Sequence, residues 1–487
     1  MYLSGIEDMN VIDNLASELQ CTGCMACVNR CDYGALTEIV NHDGFITWEY
    51  NADRCVECEK CIGVCPITHP VKPHKIQKIY AAFNKEEAIQ MKSSSGGIAY
   101  ALGEAILKDG GMVAGVAWEK GFRGVSYQLA YNQEQLSGFC QSKYLQSYIK
   151  DIYQKVERQL EKRCPILFVG LPCQIAGLRA YLGKEYKLLY TVELVCRGNL
   201  SIKGFQKYIS FRKAQGINEI SAVSMRSKLR GGHAQITLEI DTKDGVQHIF
   251  YAEEDPYFVS MWRGYALNNS CYDCRFKGES RMGDLSLADA WGSEFLYTDV
   301  FDDKGISHVL VNSNKGNALM EKIAHRLWIR KTDINNVVCV SKSLLTSAKR
   351  PEHRKQFYHD LDQISYEEII DKYLKPIPKR RLATVEDAFY YQKESEQGKL
   401  LCAYGIGETY FRLQKEKILK FDYYTSSFGE DQRANQIEPV YLPYKEVKHR
   451  EDIFVYITVH DYHSAKSIHE QLYKDRIPHK LFCDATL

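Results

Sequence analysis

The first regular alternation of apolar and polar residues falls at Ala35–Val40 and again at Phe45–Tyr50, with Asn41-His42-Asp43-Gly44 between them. Period-two alternation on either side of a turn-forming tetrad predicts a β-hairpin. A stretch bearing prolines and lysines, Pro66–Lys78, breaks the pattern and is expected to be a linker. From Ile79 onward, short apolar runs alternate with segments of helical period. Ile79–Phe83 is a strand. Ser93-Ser94-Ser95-Gly96-Gly97 opens a helix to about Lys108, closed by Gly110-Gly111, and Met112–Trp118 and Val125–Tyr131 are further strands. Leu145–Lys162 carries charges at helical spacing and is expected to be one solvated helix. Ile166–Val169 and Tyr190–Val195 are buried-type strands that run into Gly170-Leu171-Pro172-Cys173 and into Cys196. This alternation predicts a parallel or mixed α/β sheet. Ala234–Ile240 and Asp284–Ala290 are expected to form an antiparallel annex, and the basic stretch Lys342–Arg381 a helical connector. Leu400–Tyr404, Phe454–Val459, a helix at Ser464–Lys474 and a strand near Lys480–Cys483 predict a small βαβ-like module at the end.

Composition narrows the class. With 487 residues, 45% of them apolar, the chain can bury several cores. Its 63 basic and 62 acidic residues cancel, so no bulk field favours nucleic acid or an anionic membrane surface. The start, MYLSGIEDMN, is polar, unlike a secretory signal. No apolar run is long enough to span a bilayer, since Pro165–Leu178 is short and broken by Gly170, Pro172 and Gly177. Seventeen cysteines bunched at metal-ligand spacing argue for thiolate ligands in a reducing cytoplasm rather than a disulfide framework.

Eight of those cysteines form two copies of one spacing: Cys21-x-x-Cys24-x-x-Cys27-x-x-x-Cys31 and Cys55-x-x-Cys58-x-x-Cys61-x-x-x-Cys65-Pro66. Three thiols two residues apart converge on one cube while the fourth points to its neighbour, so each run supplies three ligands to one [4Fe–4S] cluster and one to the other. The pattern resembles the two-cluster bacterial ferredoxins over residues 18–70. By their crossed ligation, Cys21, Cys24, Cys27 and Cys65 hold one cluster, and Cys55, Cys58, Cys61 and Cys31 the other. Asp32 departs from the proline usual in that family.

Four more cysteines stand where α/β proteins build sites. Cys173 starts a helix after a strand, Cys196 ends a strand, and Cys271-x-x-Cys274 adds a pair from one turn. Helix-start amides favour a thiolate at Cys173. Spacing alone leaves iron–sulfur and a structural four-cysteine zinc site both open, and the electron carrier on the same chain tips the balance toward iron. The segments Phe168–Leu178, Glu193–Gly198, Cys271–Cys274 through Asp289-Ala290-Trp291-Gly292, and Ser93–Gly97 resemble the coenzyme F420 hydrogenase/dehydrogenase beta-subunit family. The resemblance implies FAD and a third [4Fe–4S] cluster on Cys173, Cys196, Cys271 and Cys274. Asn268 departs from it where arginine is expected.

The flavin contacts it implies are Ser93, Ser94, Ser95, Gly96 and Gly97 at a helix start, Ser142 and the charged Lys143 within Gln141-Ser142-Lys143-Tyr144, and Gly170 and Pro172. Lys143 is the candidate catalytic residue. Without the resemblance, the serines read as a helix N-cap and Lys143 as an ordinary exposed lysine. Gly405-x-Gly407, with Asp422 beyond it, is an incomplete nucleotide loop, and a module used for docking or for a sugar nucleotide is as good a reading. Cys140, Cys164, Cys339, Cys402 and Cys483 lie singly and are expected to be small core residues. The fold class expected is α/β, α+β overall. It comprises a ferredoxin-like 2[4Fe–4S] domain at 1–70, a central mixed α/β flavin domain at 79–345, a helical connector at 346–398 and a Rossmann-like module at 399–487. The expected function is an FAD- and [4Fe–4S]-dependent oxidoreductase working between ferredoxin, or another redox protein, and a two-electron organic acceptor. The alternative is a non-catalytic subunit that wires a partner enzyme to ferredoxin.

Overall fold

The structure is a computed structural model describing residues 11–229, 232–233, 235–297, 299–376, 399–405, 410, 421–427, 439–459 and 462–481. The first strands, β1 (Leu36–Val40) and β2 (Ile46–Tyr50), pair antiparallel as the expected hairpin. There follow β3 (His74–Lys75), β4 (Lys78–Asn84), β5 (Met112–Trp118), β6 (Val125–Ala130), β7 (Ile166–Gly170) and β8 (Leu189–Leu194). Next come β9 (Ile220–Ser227), β10 (Thr237–Thr242), β11 (Gln247–Tyr251), β12 (Ser280–Arg281), β13 (Leu285–Asp289), β14 (Ser307–Val311) and β15 (Leu327–Lys331).

Eight of these strands form one mixed α/β sheet in the order β15-β4-β14-β13-β8-β7-β5-β6. Its middle four, β13, β8, β7 and β5, run parallel, and the flanks are antiparallel. Side chains alternate between its two faces. Ile166 and Phe168 of β7 join a core with the helices Ile152–Glu161 and Pro172–Leu182, whereas Leu167 joins another with the helix Ile98–Lys108. Cys24, Met25 and Cys27 belong to the first of these cores, beside Tyr153 and Ile175. The cysteine-rich segment is therefore packed onto the sheet rather than tethered to it.

Three expectations are corrected. The segment Asp284–Ala290 is not in the annex, because β13 lies inside the main sheet, parallel to β8. Its alternation suggested one wet face, but Ser286 is fully buried, its hydroxyl donating to Glu193 at 2.7 Å and accepting from Asn312 at 2.9 Å. The annex is β9, β10 and β11 alone. The helix expected over 145–162 spans only Ile152–Glu161. The preceding residues are irregular, with a single bridge at Tyr148 and a turn at Lys150, and Gln146 is held by the amide of Ile46 (2.7 Å) and the carbonyl of Thr22 (3.2 Å). Beyond residue 345, helices Arg354–Gln363 and Tyr366–Tyr373 do more than connect: Phe357, Tyr358, Leu361 and Ile369 enclose Phe45 and Val259.

The last unit has strands β16 (Leu400–Tyr404), β17 (Tyr423–Thr425), β18 (Val440–Tyr441), β19 (Ile453–Ile457) and β20 (His479–Leu481). They are all parallel, in the order β18-β17-β16-β19-β20. Counted along the chain this is the 3-2-1-4-5 order of a doubly wound sheet. Asp422 precedes β17, at the wrong end of that strand for a ribose, and its carboxylate accepts from the Leu401 amide at 2.8 Å. Gly407 and Cys483 lie outside the described residues, as does the side chain of Cys339. Among the described residues no helix is long and apolar enough to cross a membrane.

Candidate functional site

The repeated cysteine spacing gives a repeated backbone. Gly23 and Met25 in the first run, and Glu57 and Glu59 at the matching places of the second, all have left-handed φ, of 68°, 56°, 54° and 56°. Side chains other than glycine adopt this region at a cost, so the three non-glycine residues, Met25, Glu57 and Glu59, mark loops bent around something. Each run then enters a short helix, Ala26–Arg30 or Lys60–Gly63.

Cys21, Cys24, Cys27 and Cys65 come together, with Cys24, Cys27 and Cys65 buried. Burial first, then mutual repulsion, pushes the Cys24 thiol up to about 12. Cys31, Cys55, Cys58 and Cys61 line one small cavity. There the Ala35 amide donates to Cys31 Sγ at 3.2 Å and the Glu57 amide to Cys55 Sγ at 3.4 Å. The Asp32 carboxylate, where the proline is missing, meets Lys60 Nζ of the other run at 2.7 Å.

Cys173, Cys196, Cys271 and Cys274 line a third small cavity. The Asn199 amide donates to Cys271 Sγ at 3.3 Å. Burial raises Cys196 to about 11 and Cys271 to about 12, with Lys277 opposing the rise in both. Burial also raises Cys173, followed by its neighbours Cys196, Cys274, Cys271 and, from the first set, Cys24. Cys24 packs against Gly177 of the helix that carries Cys173, where a Cβ would stand 2.9 Å from Cys24 Cβ and 3.0 Å from the Tyr153 hydroxyl. Below the third set, Glu193 of β8 is fully buried in an ion pair with Arg281 of β12 and accepts from the Met282 and Gly283 amides at 2.9 and 3.0 Å.

Thiols gathered in fours, with burial raising Cys21, Cys24, Cys27, Cys61, Cys173, Cys196 and Cys271, fit a cationic iron–sulfur core that lets them bind as thiolates. Among the described residues no three or more His, Cys, Asp or Glu side chains close around a single metal ion. The thiols stand around small cavities instead, which suits a polynuclear cluster better than one zinc ion.

Beside the third set lies a cavity of about 340 Å³, a volume in the range of small-molecule sites. Leu171, Cys196, Arg197, Gly198 and Asn199 belong to both walls. Of the residues expected at a flavin, Ser93, Ser94, Ser95, Gly97, Ser142, Lys143 and Gly170 line the large cavity. Gly96 instead packs on the sheet, where a Cβ would stand 2.5 Å from the Ala82 carbonyl, and Pro172 lines the thiol cavity. The serines do not cap the following helix, whose N-cap is Gly97 at φ 78°. Ser93 donates to the Ile89 carbonyl at 2.7 Å and Ser95 to that of Ile306 at 2.8 Å, while Ser94 Oγ accepts from the Ser142 amide at 2.7 Å. Lys143 is not on the outer surface. Its Nζ donates to the Cys140 carbonyl at 2.8 Å, and burial lowers it to about 8. Gly170 carries no side chain because the Tyr127 hydroxyl, 2.8 Å from Gln174 Oε1, would be 2.3 Å from its Cβ.

Sequence reasoning missed several groups here. Arg226 pairs with Asp289 at 2.9 Å and donates to the Ser94 carbonyl at 3.0 Å, and Lys228 donates to the Ser95 carbonyl at 2.7 Å. Arg226 also lies 4.7 Å over the Trp291 ring, on which His233 stacks. Two basic residues at alternate positions of one strand end, near a motif aspartate, were the available signal. Cys140, expected in the core, lines the cavity.

Two family models match the chain. One, described as the C terminus of the coenzyme F420 hydrogenase/dehydrogenase beta subunit, matches residues 165–337, and that of the 4Fe-4S dicluster domain matches residues 20–68. No curated protein matches the chain. Among solved structures, a chain of the F420-reducing [NiFe] hydrogenase complex from Methanosarcina barkeri is similar at 16% identity and a TM-score of 0.40, over 63% of this chain and 98% of that one. Residues 20–68 are a 4Fe-4S dicluster domain and residues 165–337 belong to the C-terminal family of coenzyme F420 hydrogenase/dehydrogenase beta subunits, which makes this an iron–sulfur electron-transfer protein related to those oxidoreductases.

Proposed function

We propose that the chain is an iron–sulfur flavoprotein oxidoreductase that works between ferredoxin, or another redox protein, and a two-electron organic acceptor. Three [4Fe–4S] clusters fall to the three thiol sets and FAD to the 340 Å³ cavity. The observation that carries this reading is continuity: Cys24 packs against Gly177 of the helix that carries Cys173, and the segment Cys196–Asn199 walls both the third thiol cavity and the large one. When bound, the clusters supply one-electron exchange and the flavin couples it to a two-electron acceptor.

The chain's own residues supply shape, charge and dryness. Ser94 and Ser142 fix one wall, held from behind by Arg226 and Lys228. Val113, Leu136 and Phe139 make another wall apolar and exclude water. Lys143 Nζ holds a proton at neutral pH and so puts a positive charge beside the cavity. Gly96 and Pro172 act at one remove, one letting the serine loop close on the sheet and the other starting the helix that carries Cys173.

Protein purified and reconstituted without oxygen is expected to carry flavin and about twelve irons. Cys58→Ala is expected to remove about a third of the iron and leave flavin bound. A flavin-free, colourless preparation would refute the proposal. The family's description as a beta subunit favours a second reading, a non-catalytic subunit serving a partner enzyme. Turnover by the isolated chain with reduced ferredoxin and a small acceptor decides for the enzyme, and turnover only with a partner decides for the subunit.

A further inference from the structure

The three thiol sets differ in how they meet solvent. Of the twelve cysteines, Cys58 alone is exposed. Around it the run Asn51–Lys60 is exposed throughout except at Cys55. Two large apolar side chains stand out on this face, Val56 and Tyr33, each 53% exposed. Both line the cavity that Cys31, Cys55, Cys58 and Cys61 share. Exposed apolar residues beside a redox thiol set have the composition of an interface centre.

The surrounding charge has a sign. Lys60 is neutralised by Asp32 at 2.7 Å. What is left on the run Asn51–Lys60 is Asp53, Glu57 and Glu59, all exposed, against Arg54, and the other nearby cation is Arg30, which faces Asp32. The whole chain is close to neutral, with 63 basic and 62 acidic residues, so this negative rim is a local feature. Rim charges of one sign steer and select a partner of the other sign, and like-charged partners are repelled.

We propose that the surface around Cys58 is the docking face for a redox protein whose own docking face is rich in lysine and arginine. This rests on reading the second thiol set as a cluster site and narrows its partner, since an acidic ferredoxin is disfavoured. The test uses the full-length, anaerobically loaded protein and two probes, a lysine-rich cytochrome c and an acidic two-cluster ferredoxin, with dissociation constants from calorimetry. Cytochrome c is expected to bind more tightly than the ferredoxin, and about tenfold more weakly when salt rises from about 20 to about 200 mM. Glu57→Lys/Glu59→Lys is expected to weaken it about tenfold at low salt, and Asp53→Lys alone a few-fold. Glu254→Lys, an exposed carboxylate beyond the annex, should leave binding unchanged.

Tighter binding of the ferredoxin overturns the proposal, as does equal binding by the charge-reversal variants. So does self-association of the unvaried chain in sedimentation, which would put a second copy on this face. If the double variant loses its visible iron–sulfur absorbance, Asp53→Lys carries the test. Loss of that absorbance in the unvaried protein would overturn the cluster reading itself, whereas intact absorbance with unaltered binding overturns only the docking face.

Discussion

Lys143 shows how much one side chain's surroundings change its meaning. In sequence it is a lysine between a serine and a tyrosine, but in the structure its Nζ is turned onto the Cys140 and Gln141 carbonyls at 2.8 and 3.2 Å. Burial lowers it from 10.5 to about 8. The sign of the resulting pH dependence follows directly. Between those two values the unfolded chain holds a proton that the folded chain has released, so stability rises with pH across that window. Allowing for the surface that Lys143 keeps toward the cavity, the rise is about 2 kcal/mol. Urea midpoints of the wild type at pH 7.5 and 10 should show it, and Lys143→Met should abolish it. Equal slopes in both proteins would show that the ammonium is not confined. Other residue-level features were legible in advance, above all the thiol spacings. Gly177 was not, because its reason for being glycine is Cys24, distant in sequence.

At the scale of elements, the third thiol set is assembled from pieces that the sequence scatters. The helix after β7 brings Cys173, the end of β8 brings Cys196, and the loop before β12 brings the other two. What clamps these pieces is the buried Glu193–Arg281 pair, closed by Ser286 and two amides. Removing one partner strands the other without solvent, so Arg281→Met is expected to cost about 3–5 kcal/mol. Glu193→Gln in the same background should restore part of that loss. Thermal unfolding with iron determination checks both, and an Arg281→Met protein of wild-type stability would mean that the pair does not hold the site. The central strand–helix alternation was legible, since each element carries its own period. Strand β13 was misplaced because a buried, hydrogen-bonded serine looks like a solvent-facing one until its partners, Glu193 and Asn312, are known.

For the whole molecule, the decisive feature is that the cysteine-rich segment, the sheet and the helices beyond residue 345 are packed as one. Phe45, at the hairpin turn, is 2% exposed beneath Phe357 and Tyr358, and Arg354 reaches Asp43 at 3.1 Å. A chain cut after residue 345 should lose this cover, drop in melting temperature by at least about 10 °C and lose iron. One cut after residue 398 keeps both helices and should retain iron and flavin. Similar melting of the two shortened chains would show that the helices are only a connector.

By itself the sequence determined the chemistry of the ligands, the two-cluster spacing, the strand–helix alternation and the kinship of two of its segments. These are local properties, carried by spacing and period within a few tens of residues. Only the tertiary structure decided which thiols face which, that Cys24 packs on Gly177 of the helix carrying Cys173, that one wall serves both a thiol cavity and a large one, and that Cys58 alone of the twelve is exposed. Those facts depend on contacts between residues up to hundreds of positions apart, and such contacts are fixed by packing around a shared core rather than by any local pattern.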